Sequence, residues 1–182
     1  MKRGLAEVIA VASVTFLAIV LVWRATHATA GVSVAVAMGK TPPAPAFAVP
    51  RLDGNGTLQL DSYVGRVVVI TFFASWCGPC NQEAPFLEQA SAHWRNHLVS
   101  FIGIDARDFA HDGRQFVTRH HISFPAGHDG SGQVVTAYGV GALPATFIIS
   151  PQGRVVDYRL GFINSDDLNQ KIARALRRAG AS

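Results

Sequence analysis

Charged residues are scarce in this sequence. Asp, Glu, Lys and Arg make up 15% of the 182 residues, against roughly 25% in soluble domains, while 49% are hydrophobic. That balance excludes intrinsic disorder and implies that part of the chain does not face water. A strongly basic surface is also missing. Lys2, Arg3 and Arg24 supply three of the sixteen basic residues, and from residue 31 onward 13 basic residues oppose 11 acidic ones without a basic run. Nothing there warrants nucleic-acid binding. Cysteine is scarcer still: Cys77 and Cys80 are the only two, so a framework of several disulfides is excluded and their close spacing points to chemistry. No internal repeat is present. The length suits one ordinary domain plus an appendage.

What is there begins with an apolar N-terminus. After Lys2 and Arg3, residues Leu5 to Trp23 carry a single charge, Glu7. As a helix these nineteen residues would be about 28 Å long, close to a bilayer core of roughly 30 Å. The run exceeds the usual signal-peptide core, which favours a retained signal-anchor over residues 5–23 with residues 1–4 in the cytoplasm. The alternative is cleavage near Ala30, because Ala28-Thr29-Ala30 has the small-x-small form of a processing site. Either way the remainder is expected outside the cytoplasm. Residues 24–43, ending in Pro42 and Pro43, read as a semi-extended tether, and a folded domain is expected over 44–182.

Within that domain, Asp53-Gly54-Asn55-Gly56 is a hairpin turn signal inside Phe47 to Leu60. Val67 to Ala74 reads as a strand buried on both faces. A helix is expected from the cysteines to about His97, with Phe86, Leu87, Ala90 and Trp94 on one stripe. Val99 to Ile104 is the next strand and Gly113 to His121 a helix. Ala145 to Ile149 and Val155 to Leu160 form a hairpin, and a last helix is capped by Ser165. This order predicts an α/β domain with a mixed central sheet flanked by helices.

Trp76-Cys77-Gly78-Pro79-Cys80 falls where the buried strand ends and the helix begins. Free N–H groups and the helix dipole at that point favour a thiolate on Cys77. Cys80, one turn on, can reach it, and Pro79 suits a first helical turn. A Cys77 thiolate can attack a substrate disulfide, and Cys80 can then resolve the mixed disulfide. An inert disulfide gains little from so short a loop. Structural zinc needs four ligands, and a second cysteine pair is absent.

Phe72 to Cys80 resembles the active-site strand and turn of thioredoxins, and Ala142-Leu143-Pro144-Ala145-Thr146-Phe147 resembles their cis-proline loop. Ala44-Pro45-Ala46-Phe47, Asp53-Gly54, Tyr63-Val64-Gly65-Arg66 and Glu83 are similar to the membrane-anchored TlpA/ResA/CcmG (DsbE) branch, from about Ala44 to Ala179. The resemblance implies a thioredoxin-like fold preceded by an N-terminal hairpin. It implies a redox-active Cys77–Cys80 pair as the only redox centre, with no added cofactor or metal. Substrate would contact Trp76, Gly78, Pro79, Leu143 and Pro144, with the Leu143 backbone pairing as an added strand. Thr71 stands where thioredoxins keep a buried aspartate, and Glu83 is the candidate replacement, able to take the Cys80 proton. The implied setting is the bacterial inner membrane with the catalytic domain in the periplasm. The implied partners are exported disulfide-bearing proteins, apocytochrome c among them, and a membrane thiol donor of the DsbD/CcdA kind.

Two other readings remain beside this reductase. One is a general thiol oxidant or isomerase, against which Gly-Pro between the cysteines leans toward the reducing potential of thioredoxin. The other is a non-enzymatic metal chaperone using Cys77, Cys80 and a histidine. His93, His97, His120, His121 and His128 lack a metal-site motif and read as solvated side chains. Arg174, Arg177 and Arg178 read as a solvated helix end.

Overall fold

The structure, a computed structural model, describes residues 15–19 and 31–180. The chain divides into two units, residues 1–30 and 31–182. In the first, residues 15–19 are helical; the rest of the expected 5–23 anchor, the 1–4 terminus and Ala28-Thr29-Ala30 lie outside the described residues. Among the described residues no helix is long and apolar enough to cross a membrane.

The second unit is built on β3, Val67–Phe73, whose seven residues are all buried. Its alternating side chains supply two cores. Val68, Ile70 and Phe72 join Ile102, Ile104, Tyr138 and Phe147 on one face, while Val67 and Val69 join Leu87, Phe101, Ile148, Leu168 and Ile172 on the other. A strand buried at every position, with Thr71 its one polar residue, can only sit in the middle of a sheet covered on both sides. β3 pairs in parallel with β4, Val99–Ala106, and antiparallel with β6, Ala145–Ile149. Outside these lie β5, Ala126–Asp129, parallel to β4, and β7, Val155–Leu160, antiparallel to β6. The sheet order is β5-β4-β3-β6-β7. A separate hairpin, β1 (Ala48–Pro50) with β2 (Thr57–Gln59), turns at Asp53, whose carboxylate accepts the Asn55 N–H.

Among the helices, α1 is Val32–Ala37, α2 is Gly78–Trp94, α3 is Ala110–Arg119, α4 is Gln133–Tyr138 and α5 is Ser165–Gly180. The mixed, helix-flanked α/β architecture is the expected one. Four local readings are corrected. Residues 31–43 are not a tether: Val32 is buried in the core and Val36 packs on it. The Val155 N–H donates to Pro42 O at 2.9 Å and the Ala44 N–H to Gly153 O at 2.8 Å. The apolar side chains of this stretch gain more by packing on the sheet than by hydration. Next, β5 and α4 intervene between α3 and β6. The small and polar run Ala126-Gly127-His128-Asp129 has no strand periodicity of its own and is a strand only because it pairs with β4. The last helix is capped by Asn164, whose Oδ1 accepts the Asp167 N–H at 2.8 Å, and Ser165 is already inside it. On α2, Leu87 and Ala90 are buried but Phe86 is 39% exposed and meets Phe162 edge-on.

A chain starting at residue 31 is therefore expected to melt cooperatively, whereas one starting at Ala44 loses the burial of Val32 and the Pro42 carbonyl contact. The second should be less stable by about 2–4 kcal/mol. Urea midpoints of the two proteins check this, and equal midpoints would restore the tether reading.

Candidate active site around Cys77 and Cys80

Strand register brings the site together. The C-terminal end of β3 lies beside the end of β4, Phe73 opposite Asp105, and beside the start of β6, Phe72 opposite Ala145. One end of the sheet thus gathers the Cys77 turn, the loop after β4 and the loop before β6.

Cys77 is the N-cap of α2 and its Sγ accepts the Cys80 N–H at 3.2 Å, so the sulfur occupies the place of a capping oxygen. Pro79 sits in the first turn, where its missing N–H is not needed. The two cysteines form a disulfide and are 4% and 2% exposed. Trp76 beside them is 62% exposed, and its indole N–H donates to Arg107 O at 3.0 Å. Asn81 ties the turn to the helix, donating to Ser75 O at 3.2 Å and to Cys77 O at 2.9 Å. Its Oδ1 accepts from His120 Nε2 at 2.8 Å. Burial, with Arg119 and His121 adding to it, lowers the His120 imidazole below its ordinary range, which suits a neutral donor. The Leu143–Pro144 peptide bond is cis. Pro144 is buried, Leu143 half-buried, and Pro144 O accepts the Gly161 N–H at 2.8 Å.

Beneath the pair, a cavity of about 10 Å3 is lined by Thr71, Cys80, Glu83, Phe116, Ile122 and Pro144, among others. That is about the room one water occupies. Glu83 is wholly buried. Its Oε2 accepts the Ile163 N–H at 2.9 Å, and its Oε1 lies 3.5 Å from Thr146 Oγ1. Burial pushes its carboxyl up to about 7, against the lowering effect of those bonds and of Arg159. Thr71 Oγ1 is buried without a hydrogen-bond partner among the described residues. The structure thus brings Cys80, Glu83, Thr71 and Pro144 to one cavity; Trp76, Gly78 and Pro79 are exposed around the cysteine turn, and Leu143 is half-buried next to Pro144.

Several residues of the site escaped the sequence reading. Asp108 accepts the Ser75 N–H at 2.6 Å and the Phe109 N–H at 2.8 Å, anchoring the strand end that leads to Cys77. Asp105, wholly buried on β4, is 2.8 Å from His128 Nδ1 on the neighbouring strand. Burial raises the Asp105 carboxyl, nearby Asp108 adds to this, and the bond to His128 opposes it. Gly113 is required above it, since a Cβ there would stand 2.3 Å from Asp105 Oδ2. His120 and His128 are therefore structural partners rather than solvated side chains. No local pattern signals either one, because their partners are 39 and 23 residues away. A cleft of about 680 Å3 opens next to Trp76, with Arg107, Asp108, Phe109 and Asp129 among its walls. Among the described residues no group of three or more His, Cys, Asp or Glu side chains could hold a metal ion.

A cysteine pair capping a helix, opposite a cis-proline and above a buried carboxylate, defines a thioredoxin-like thiol–disulfide oxidoreductase. The AhpC/TSA family profile matches residues 41–158. The thiol-disulfide oxidoreductase ResA of Geobacillus thermodenitrificans is 32% identical over 138 residues, 76% of this chain and 78% of that protein. Among solved structures, a Chlorobium tepidum protein assigned as thiol:disulfide interchange protein DsbE is 32% identical with a TM-score of 0.70, covering 75% of this chain and 96% of that one. A secreted Mycobacterium tuberculosis disulfide oxidoreductase described as homologous to E. coli DsbE is 27% identical with a TM-score of 0.64, covering 70% and 95%. The chain belongs to the AhpC/TSA family and, by these relatives and its cysteine pair, is a thiol–disulfide oxidoreductase of the ResA/DsbE type.

The buried acid sets a pH dependence. Glu83 binds its proton more tightly in the folded protein, at about 7, than at its ordinary value of 4.5. Its contribution to stability is therefore full below pH 4.5 and falls away as pH rises toward 7, by roughly 3 kcal/mol at most. Replacing Glu83 with Gln should leave the oxidised protein near wild-type stability at pH 4.5 and make it more stable at pH 8. Melting temperatures at the two pH values check this; a gap that does not change with pH would mean that Glu83 stays ionised throughout.

Proposed function

We propose that this protein is a membrane-tethered reductase acting outside the cytoplasm on disulfides of exported proteins, with an apocytochrome c or similar chain as substrate. The observation that carries the reading is the shared cavity of Cys80, Glu83 and Pro144 directly behind the Cys77 cap. In the reduced enzyme the Cys77 thiolate attacks one sulfur of the substrate disulfide. That bond breaks, and the departing substrate sulfur takes up a proton. Glu83, half-protonated near neutral pH, accepts the Cys80 proton, and the Cys80 sulfur attacks Cys77 Sγ. The intermolecular bond breaks, and the second substrate sulfur leaves as a thiolate that takes up a proton while Glu83 gives its own back to solvent. Two electrons and two protons have passed to the substrate, and the enzyme holds the Cys77–Cys80 disulfide.

Trp76, Gly78 and Pro79 form the surface a substrate meets first, and the Leu143 main chain ahead of Pro144 pairs with it as an added strand. Electrons for the next cycle come from a membrane thiol donor of the DsbD/CcdA kind, because the compartment outside the cytoplasm is oxidising. The apolar run Leu5 to Trp23 behind Lys2 and Arg3 supports attachment to the inner membrane with this domain in the periplasm. A soluble periplasmic form would follow if the chain is cut near Ala30.

Cys77→Ala should abolish disulfide reduction, and Cys80→Ser should accumulate a mixed disulfide at Cys77. Faster alkylation of Cys80 than of Cys77 in the reduced protein would reverse the two roles. Replacing Glu83 with Gln should lower the apparent thiol pKa by about one unit, equivalent to about 1.4 kcal/mol, and slow exchange at neutral pH. Alkylation rates against pH measure both effects. Superimposable profiles for the two proteins would remove Glu83 from the proton transfer.

A further inference from the structure

Two consecutive carbonyls at the root of the cis-proline loop are held by side chains from two separate segments. Gly139 O accepts the Ser33 hydroxyl at 2.9 Å, and Val140 O accepts the Arg107 guanidinium at 3.2 Å. Beyond them Gly141 and Ala142 are exposed, Leu143 is half-buried, and Pro144 is buried. The loop is thus clamped at residues 139–140 and projects from there to Leu143.

The Ser33 side is a close backbone crossing. A Cβ on Gly31 would stand 3.0 Å from Gly139 Cα, and one on Gly139 would stand 2.8 Å from Ser33 Oγ. Gly139 also has φ +68, the left-handed region that glycine enters freely. Val32 is buried between these contacts, packed in the same core as Val140 and Tyr138, so the crossing cannot slide without opening that core. In the second segment, Arg107 has φ 57 although it carries a side chain. A residue with a side chain is strained there and stays only where its surroundings hold it. It is held where its carbonyl meets Trp76 and its guanidinium meets Val140, and so it links the cysteine turn to the cis-proline loop.

We propose that Ser33, with the Gly31–Gly139 crossing, and Arg107 are positioning residues. Together they form a two-point brace that sets where the Gly139–Leu143 loop presents the Leu143 main chain to a disulfide-bearing polypeptide. The proposal rests on the reading above in which Leu143 pairs with substrate. None of these side chains touches the cysteines. The brace governs docking of an extended polypeptide and leaves the intrinsic reactivity of Cys77 alone.

The test uses the full-length protein with two oxidants, turning over insulin with excess dithiothreitol as the reductant and reacting once, pre-reduced, with the small disulfide. Insulin carries its disulfide in a polypeptide whose main chain can pair with Leu143, and 5,5′-dithiobis(2-nitrobenzoic acid) is a small disulfide with no main chain to pair. Removing one hydrogen bond at the loop root with Ser33→Ala should raise KM for insulin about fivefold. Its kcat and its rate with the small disulfide should stay within twofold, and Ser33→Thr should recover the wild-type KM. Gly31→Val, which forces the crossing apart, should raise KM further. Arg107→Gly removes the unfavourable backbone conformation and the link together. It should raise KM with the melting temperature unchanged or higher, a combination that a merely structural role does not produce. Pro144→Ala tests the underlying reading. If it leaves KM for insulin unchanged, the loop does not meet substrate and both conclusions fail. If Pro144→Ala raises KM while Ser33→Ala and Gly31→Val do not, the substrate-pairing reading stands and the brace is overturned. Parallel losses with insulin and the small disulfide would also overturn the brace, because the defect would then lie in Cys77 itself.

Discussion

Everything in the site depends on β3 being buried on both faces. Such a strand must lie between two others, and here it has β4 parallel on one side and β6 antiparallel on the other. Chain direction then decides what gathers at its C-terminal end: the end of β4, the end of β5 and the start of β6. Cys77, Asp108, His128 and Pro144 come from four separate stretches of sequence and belong to one end of the sheet for that reason. Loops at the carboxyl ends of parallel strands are the usual place for chemistry in open α/β sheets, and the antiparallel entry of β6 adds the cis-proline to them.

Polar groups are buried behind that end at a cost to stability. Glu83, Asp105 and Thr71 are all enclosed, and Thr71 Oγ1 and Asp105 Oδ1 have no hydrogen-bond partner among the described residues. An unsatisfied buried polar atom costs about 1–3 kcal/mol. An apolar lining would make a more stable domain. Such groups persist where they shift the ionisation of neighbours, and the cavity shared by Glu83 and Cys80 is such a place. Phe73 stacked on Phe116, with His120 tilted against Phe116, closes this side, and His120 carries the contact through Asn81 back to the cysteine turn.

How much could be read in advance varies by element. The bounds of β6 and β7 were legible to the residue, because two apolar runs flank an evident turn at Ser150-Pro151-Gln152-Gly153. The cysteine turn and its helix were legible too, since helix-start chemistry is local. Glu83 could be placed near Cys80 by helical spacing, but not its complete burial. The groups that enclose it, Thr146 and Ile163, are 63 and 80 residues further on. The same distance hid the Asp105–His128 pair, the grip of Asp108 on Ser75 and the docking of residues 31–37.

The sequence by itself determined an α/β domain with a reactive dithiol at a helix start, because apolar periodicity, turn residues and a four-residue cysteine motif act over short stretches of chain. Only the tertiary structure decided that Glu83 is wholly enclosed by Thr146 and Ile163, that Pro144 shares its cavity, and what holds the Gly139–Leu143 loop. Those outcomes depend on strand register and on the packing of distant segments, and no local pattern encodes them.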